Sequence, residues 1–509
     1  MRARVVAAIP FLSGTVLAAQ AASPYVPLQH WAMPYVEHLI ATGILHDPTP
    51  LTRPLRQADL VRALEDVDTL TVGSAGRALV RRLLQEFALE REGPRYQIVA
   101  DVGVAAATYT RRDPLAALDS SGPRQSGPKH GFVDGGLALT LLTGPVVAVA
   151  HTYFDTRLKY DPDWFGRKDR VIAGRTAESY LSAQWRFGEL FFGRLDRNWG
   201  PSVIQGLLLS DNPYGLDHLA LVVGTSHVQL QAIATQLDDR TDSTPGATVH
   251  RYMSQHRLWI RPSDRWTAAA WEGSVLSGPG RQFEPWYLNI LNVGYLEQLN
   301  TGTDVNTFVG LDVERDGAVS LFAQLMLDDI QVDRKTATDL KPSSYALTAG
   351  ARGRLRSGSA AWTLLYSRVA NLTYRNEDNL EVPLYHFLGT GRNFADYDQA
   401  TLKISVLAAP GLLLAPELTL LRQGEGDPRL PHPAIAAYPT TPTIFQGTVE
   451  RTLRAAVSGD YSAGPRVALT FDAGAHRISN FQHLAGDTRT RFEGRAALSY
   501  RFSTTGGLP

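Results

Sequence analysis

The chain has 509 residues, with 50 lysines and arginines against 50 aspartates and glutamates, and no cysteine. The charge balance argues against a nucleic-acid partner, which a basic excess would announce. The missing cysteine excludes disulfides, thiolate metal sites, a cysteine nucleophile and a lipid-modified N-terminal cysteine.

Residues 1–21 read as a secretory signal peptide: a basic Met1-Arg2-Ala3-Arg4, a short apolar run, then Ala19-Gln20-Ala21 as the cleavage site. Beyond it no segment reaches the roughly 18 uninterrupted apolar residues of a membrane helix. The spacing next predicts a small helical unit over residues 22–92. Trp31, Tyr35 and Leu39 recur every fourth residue and stop at Gly43, a candidate C′ position. A second helix over residues 57–66 sets Leu60, Val61 and Leu64 on one side. A third, with Ser74 as candidate N-cap, carries Leu79, Leu83, Leu84 and Phe87. A unit this short is marginal by itself.

From residue 93 to 503 the period is two. Phe492, Gly494, Ala496, Leu498, Tyr500 and Phe502 alternate with Arg491, Glu493, Arg495, Ala497, Ser499 and Arg501. Leu181, Ala183, Trp185 and Phe187 alternate with polar residues, as do Val319, Leu321, Ala323, Leu325 and Leu327. Tight turns at Gly144-Pro145, Ser263-Asp264, Asp316-Gly317, Gly358-Ser359, Pro410-Gly411 and Gly464-Pro465 alternate with polar loops that are long by ordinary standards. Short turns at one end and long loops at the other describe an outer-membrane barrel. The pattern predicts an all-β transmembrane barrel of about 18 antiparallel strands, in contact with outer-membrane lipid, with residues 504–509 as a tail. An exported sandwich or β-helix seldom keeps this turn asymmetry for so long.

One stretch mixes chemistry unusually: GRLDRNWGPSVIQGLLLSDNP, residues 193–213. Its parity sends Phe192, Arg194, Asp196 and Asn198 to the lumen and Phe191, Gly193 and Leu195 to lipid. Trp199-Gly200-Pro201 then breaks the strand at the mouth. Arg194 and Asp196, two apart, can brace the wall as a pair. Alternatively the charged groups bond sugar hydroxyls while Trp199 packs on a ring. The stretch resembles the G-x-x-(D/R)-x-x-W-G-P…L-x-(L/M)-S-x-N segment of the Wzi-type capsule assembly family. Residues 283–300, FEPWYLNILNVGYLEQLN, and 306–314, NTFVGLDVE, resemble a further family stretch, strand-rich before a glycine-aspartate strand. The resemblance implies an eighteen-stranded outer-membrane barrel with an N-terminal helical bundle, lectin-like and non-catalytic, that holds capsular or surface polysaccharide. Carried over by position, the matching residues are Gly193, Asp196, Trp199, Gly200, Pro201, Leu209, Ser210 and Asn212; with the charged neighbours in the stretch, the candidate polysaccharide contacts are Arg194, Asp196, Arg197, Trp199, Ser210, Asp211 and Asn212. The N-terminal WAMPYVEHLIATGIL resembles an S-layer-homology module, which implies either cell-wall binding or packing on the barrel's periplasmic end.

Arg186, Arg194, Arg352, Arg354, Arg356, Arg454, Arg491, Arg495 and Arg501 fall on the polar parity, with Glu450, Asp472 and Glu493 among them. A basic lining suits anionic solutes, so a passive porin is the alternative. No G-x-S-x-G or H-E-x-x-H occurs, and neither Asp217-His218 nor His476 stands with a nucleophile. No enzyme, cofactor or metal is expected. Asp238, Asp239 and Asp242 read as solvated loop acids.

Overall fold

A computed structural model describes residues 22–88, 93–108, 131–161, 163–241, 248–301, 305–330, 336–355, 359–377 and 379–508. The expected signal peptide, Arg356 and Asp242 lie outside them. Eighteen strands close into one antiparallel barrel. They are β1 Arg95–Ala107, β2 Gly131–Thr143, β3 Val146–Asp155, β4 Ala173–Trp185, β5 Gly188–Arg194 and β6 Asp217–Gly224. Next come β7 Val228–Gln236, β8 Thr248–Ser263, β9 Trp266–Pro279, β10 Val305–Arg315, β11 Val319–Asp329 and β12 Ser344–Arg354. The last six are β13 Ala360–Val369, β14 Tyr397–Ala409, β15 Leu412–Gln423, β16 Glu450–Ala463, β17 Val467–Ser479 and β18 Thr488–Gly507. Closure comes from β1, which pairs with β2 on one side and β18 on the other.

The alternation follows from the two solvents. Val319, Leu321 and Leu325 on β11, and Phe492, Leu498 and Phe502 on β18, point outward and exposed, as lipid-facing residues must. Trp185, Phe187 and Trp266 are exposed near the short-turn end, where aromatic rings settle at headgroup level. This is the architecture of an outer-membrane barrel, and it locates the protein there. Both barrel termini lie at the short-turn end, which is therefore periplasmic: Arg95 is paired with Gly507. The stretch expected as a tail is thus largely wall, since β18 runs on to Gly507.

Three helices, α1 Met33–Ala41, α2 Gln57–Glu65 and α3 Ser74–Phe87, sit at the periplasmic end. Gly43 takes φ +69°, the left-handed C′ geometry that favours glycine. Ser74 is the first helical residue rather than the cap, which is Gly73. Leu39, Leu60, Leu64, Leu79 and Leu83 form one core with Leu407 and Leu413 of the barrel. The Tyr35 hydroxyl donates to the carbonyls of Gly411 (2.8 Å) and Asp460 (2.9 Å), and Arg82 donates to that of Ser462 (2.6 Å). Arg82 also lies over the Trp31 ring. The segment resembling an S-layer-homology module is thus packed into the barrel end, where the wall supplies the burial that three short helices lack.

Candidate functional site

The motif stretch does not stay in the wall. β5, β6 and β7 have only 7, 8 and 9 residues, and the chain after Arg194 turns into the lumen before returning at Asp217. On β5 the parity is the reverse of the expected one. Glu189 and Phe191 point inward and are fully buried, whereas Leu190 and Phe192 are outward and exposed. An aromatic ring can face this lumen because protein fills it: Phe191 meets Tyr25, Tyr180 and His218. Arg194 pairs with Asp217 across the β5–β6 register at 2.5 Å, not with Asp196. Asp196 instead accepts from Gln29 at 3.2 Å, and burial raises its pKa against the pull of Arg175. Arg186 is an exposed turn residue and not part of the lining.

The in-folded residues join three parts of the molecule. Arg197 lies over the Phe191 and Tyr25 rings, 4.6 and 5.4 Å from their centroids, and donates to His218 Nε2 at 2.8 Å. The other His218 nitrogen faces the Leu216 carbonyl, so this histidine is committed to structure. Asn198 and Trp199 form a short ladder with Thr52 and Arg53 of the plug. Trp199 is 6% exposed, covered by the Arg257 guanidinium 5.1 Å from its ring. Arg257 in turn bonds the Leu51 carbonyl, Thr52 and Asp312, each at 2.9 Å. Trp199 thus sits deep in the lumen rather than at the mouth.

A second segment, residues 370–396, folds inward and meets the first. Ser210 donates through its backbone N–H to the Thr390 carbonyl (2.8 Å) and through its hydroxyl to that of Gly391 (2.7 Å). Asn212 donates to the Gly389 carbonyl at 2.7 Å. Leu207 and Leu208 enter a core with Trp271, Phe308, Met326 and Tyr374. Six of the seven candidate contacts are therefore engaged by the protein itself: Arg194 by Asp217, Asp196 by Gln29, and Arg197, Trp199, Ser210 and Asn212 by the in-folded packing. Asp211 faces a cavity of about 860 Å³ left between the plug, the in-folded segment and the wall. Arg454 and Arg501 line it too, paired with Glu417 and Asp472 and with Glu86, respectively.

The exposed chemistry gathers at the long-loop end, above the short strands. β4 continues through Ala173–Glu178 beyond its last pair with β5, so the rim is notched here. Into this notch projects a hairpin whose two-residue strands, Leu384–Tyr385 and Leu388–Gly389, are joined by His386 and Phe387. Both turn residues have positive φ, 47° and 65°. Such turns normally take Asn-Gly, and two bulky residues there store backbone strain of order 1–3 kcal/mol each. His386 stacks on Phe165 at 4.0 Å and 15°. Tyr385, Trp164 and Tyr214 extend the cluster around Phe165. Phe165 and Phe387 are 46% and 59% exposed. Arg240 lies 5.1 Å from the Phe387 ring, and Asp238 fixes the hairpin by accepting the His386 N–H at 2.8 Å. Burial lowers the His386 pKa against the pull of Asp238, so the ring is presented neutral at pH 7. Tyr385 lies within electrostatic reach of both members of the Arg194–Asp217 pair. Sequence reasoning found Arg194 but missed the rings. A His-Phe pair where a tight turn wants Asn-Gly was the available signal.

No protein-family model and no curated relative matches the sequence. Solved structures do. The chain is similar to Wzi from Escherichia coli, described as an outer-membrane, carbohydrate-binding β-barrel involved in group 1 capsule assembly. The identity is 13%, the TM-score is 0.62, and the match covers 94% of this chain and 99% of that one. Weaker similarity extends to OccAB4 of Acinetobacter baumannii (8% identity, TM-score 0.46, 82% and 99% covered) and opdK of Pseudomonas aeruginosa (14%, 0.45, 81% and 99%). The Wzi likeness identifies the fold: an eighteen-stranded outer-membrane barrel carrying N-terminal helices.

Proposed function

We propose that this protein holds surface polysaccharide at the long-loop rim without chemically altering it. The observation that carries this reading is an aromatic rim: the exposed Phe387 and the half-buried His386 stand on a strained hairpin, and the exposed Phe165 stacks on His386 from a separate loop, with the Arg194–Asp217 pair within electrostatic reach of Tyr385. Flat rings pack on the apolar faces of sugars, and flanking guanidinium and carboxylate groups bond hydroxyls or acidic substituents. The described carbohydrate binding of Wzi, the fold neighbour, supports it. Of the sequence-derived candidates, Arg194 belongs to this rim, whereas Arg197, Trp199, Ser210 and Asn212 serve as the in-folded latch that positions the second segment and so its hairpin. Asp196 and Asp211 flank the latch.

The test is binding of purified protein to a panel of capsular and lipopolysaccharide-derived glycans, with Phe165→Ala and Phe387→Ala beside the wild type. Loss of retention in both variants with intact folding is expected; undiminished retention would remove the rim from the site. The porin alternative uses the same barrel, and planar-bilayer conductance separates them. With helices at one end and two segments folded across the lumen, little steady current is expected, while a stable anion-selective current would favour the porin.

A further inference from the structure

The outer wall of β8, β9 and β10 carries a strip that lipid would not tolerate. On these strands the residues pointing away from the lumen include Ser254, His256, Glu272, Ser274 and Thr307, which register pairing sets in two adjacent rows. One row runs His256, Glu272, Val309 and on to Leu327; the row beneath it is Leu258, Ala270, Leu311 and Leu325, all apolar. Glu272 lies six residues above the exposed Trp266 at the periplasmic rim. At a strand rise of ~3.3 Å and a tilt of ~40°, that is roughly 15 Å up a lipid-facing band about 25 Å tall. The polar strip therefore falls within the upper half of the band.

Residues 283–301 cover it from outside. This stretch holds a 3₁₀ turn, Pro285–Leu288, and a short helix α4, Gly294–Thr301, rather than the expected strand. Its backbone is fastened to the strip group by group. The Tyr287 carbonyl accepts from the Ser254 hydroxyl (2.7 Å) and lies 3.0 Å from His256 Nε2. His256 Nδ1 is 3.1 Å from the Asn292 carbonyl and 3.2 Å from Glu272. Glu272 accepts the Gly294 N–H at 2.8 Å, an acid placed at a helix N-terminus. Tyr287 is buried against Leu276 and Val305 of the wall. With the Tyr287 and Asn292 carbonyls and the Gly294 N–H fastened to the barrel, the stretch shows the surroundings Leu288, Leu291, Val293, Tyr295 and Leu296 beside the polar Asn289, and Leu291 is 74% exposed.

We propose that residues 283–301 are a saddle bedded in the acyl chains of the outer leaflet. The occupant of its apolar face is lipid because the face stands on the outer wall, at hydrocarbon height, continuous with exposed Leu258 and Leu311 below it. A segment that exchanged its polar strip for water would have no reason to turn leucines outward.

The absence of cysteine makes the test clean. Leu291→Cys, with Val293→Cys as a second position, is labelled with bimane in the full-length chain reconstituted into liposomes. Leu311→Cys serves as the wall reference and Leu430→Cys, exposed in a long loop, as the aqueous one. Folding is checked by heat-modifiability. The proposal expects positions 291 and 293 to be quenched by brominated acyl chains as strongly as 311, and by aqueous iodide several-fold less than 430. Quenching like position 430 would overturn it. Shielding from both quenchers, or disulfide-linked dimers through position 291, would also overturn it by showing a protein partner on this face.

Discussion

Replacing Trp199 by alanine tests whether the motif stretch is a latch or a binding surface. The ring is 6% exposed, grouped with Leu195, Phe191 and Tyr180, and covered by Arg257. Truncating a buried tryptophan costs about 3–5 kcal/mol, and a desolvated cation–π contact is worth about 2 kcal/mol of the interaction lost. The backbone bonds survive the substitution: the Trp199 N–H still donates to Leu209 and its carbonyl still accepts from Gln324. The lower end, about 3 kcal/mol, is therefore expected for local opening, or roughly a hundredfold faster amide exchange. The reporting amides are Trp199, Gly200, which bonds Leu51, and Ser210, which bonds Thr390. The strands should exchange as before, because no strand residue loses a ladder bond. Conductance should rise as the in-folded segment loosens. Exchange at these amides unchanged within a factor of about three, with polysaccharide retention lost, would refute the latch and return Trp199 to the ligand.

Phe387→Ala should weaken polysaccharide binding by about tenfold, read by surface-plasmon titration, while thermal unfolding stays unchanged, since the ring is 59% exposed. Gly391→Ala places a methyl 2.2 Å from the Leu207 carbonyl oxygen, so the two in-folded segments should separate and single-channel current should appear. Plug docking should weaken in acid. His38 is buried with Nδ1 2.9 Å from Ser405, and burial pushes its pKa from 6.5 down to about 4. Between these values the undocked chain takes up the proton that the docked one refuses. Stability is therefore complete above about pH 6.5 and falls toward pH 4 by up to about 1.4 kcal/mol per unit. Burial lowers the His30 pKa too, adding in the same direction. Protease susceptibility of the helices against pH measures this, and His38→Gln should flatten the curve.

The barrel was legible in the sequence because its causes are local. Lipid favours an apolar residue at every second position, and a two-residue turn usually carries Gly, Pro or Asp, so β11, β18 and most periplasmic turns could be read residue by residue, whereas the Arg186-Phe187 turn could not. The three helices were legible for the same reason, from apolar residues on one face and Gly43 at a stop. The lumen was not. An inward side chain meets water, plug or in-folded chain depending on segments far away in sequence. Phe191 reads as lipid-facing until Tyr25 and His218 are placed beside it. Ser210 and Asn212 read as loop residues until the backbone of residues 389–391 accepts their hydrogen bonds. Arg194 finds Asp217 and not Asp196, because the pairing of β5 with β6 sets the two at one register position, whereas Asp196 lies beyond the strand's end. The polar strip of His256 and Glu272 and its cover of residues 283–301 likewise came together only in three dimensions. Periodicity reports the average solvent on each face of a strand; which protein segment replaces that solvent at one position is a matter of long-range packing, and only the closed barrel decided it.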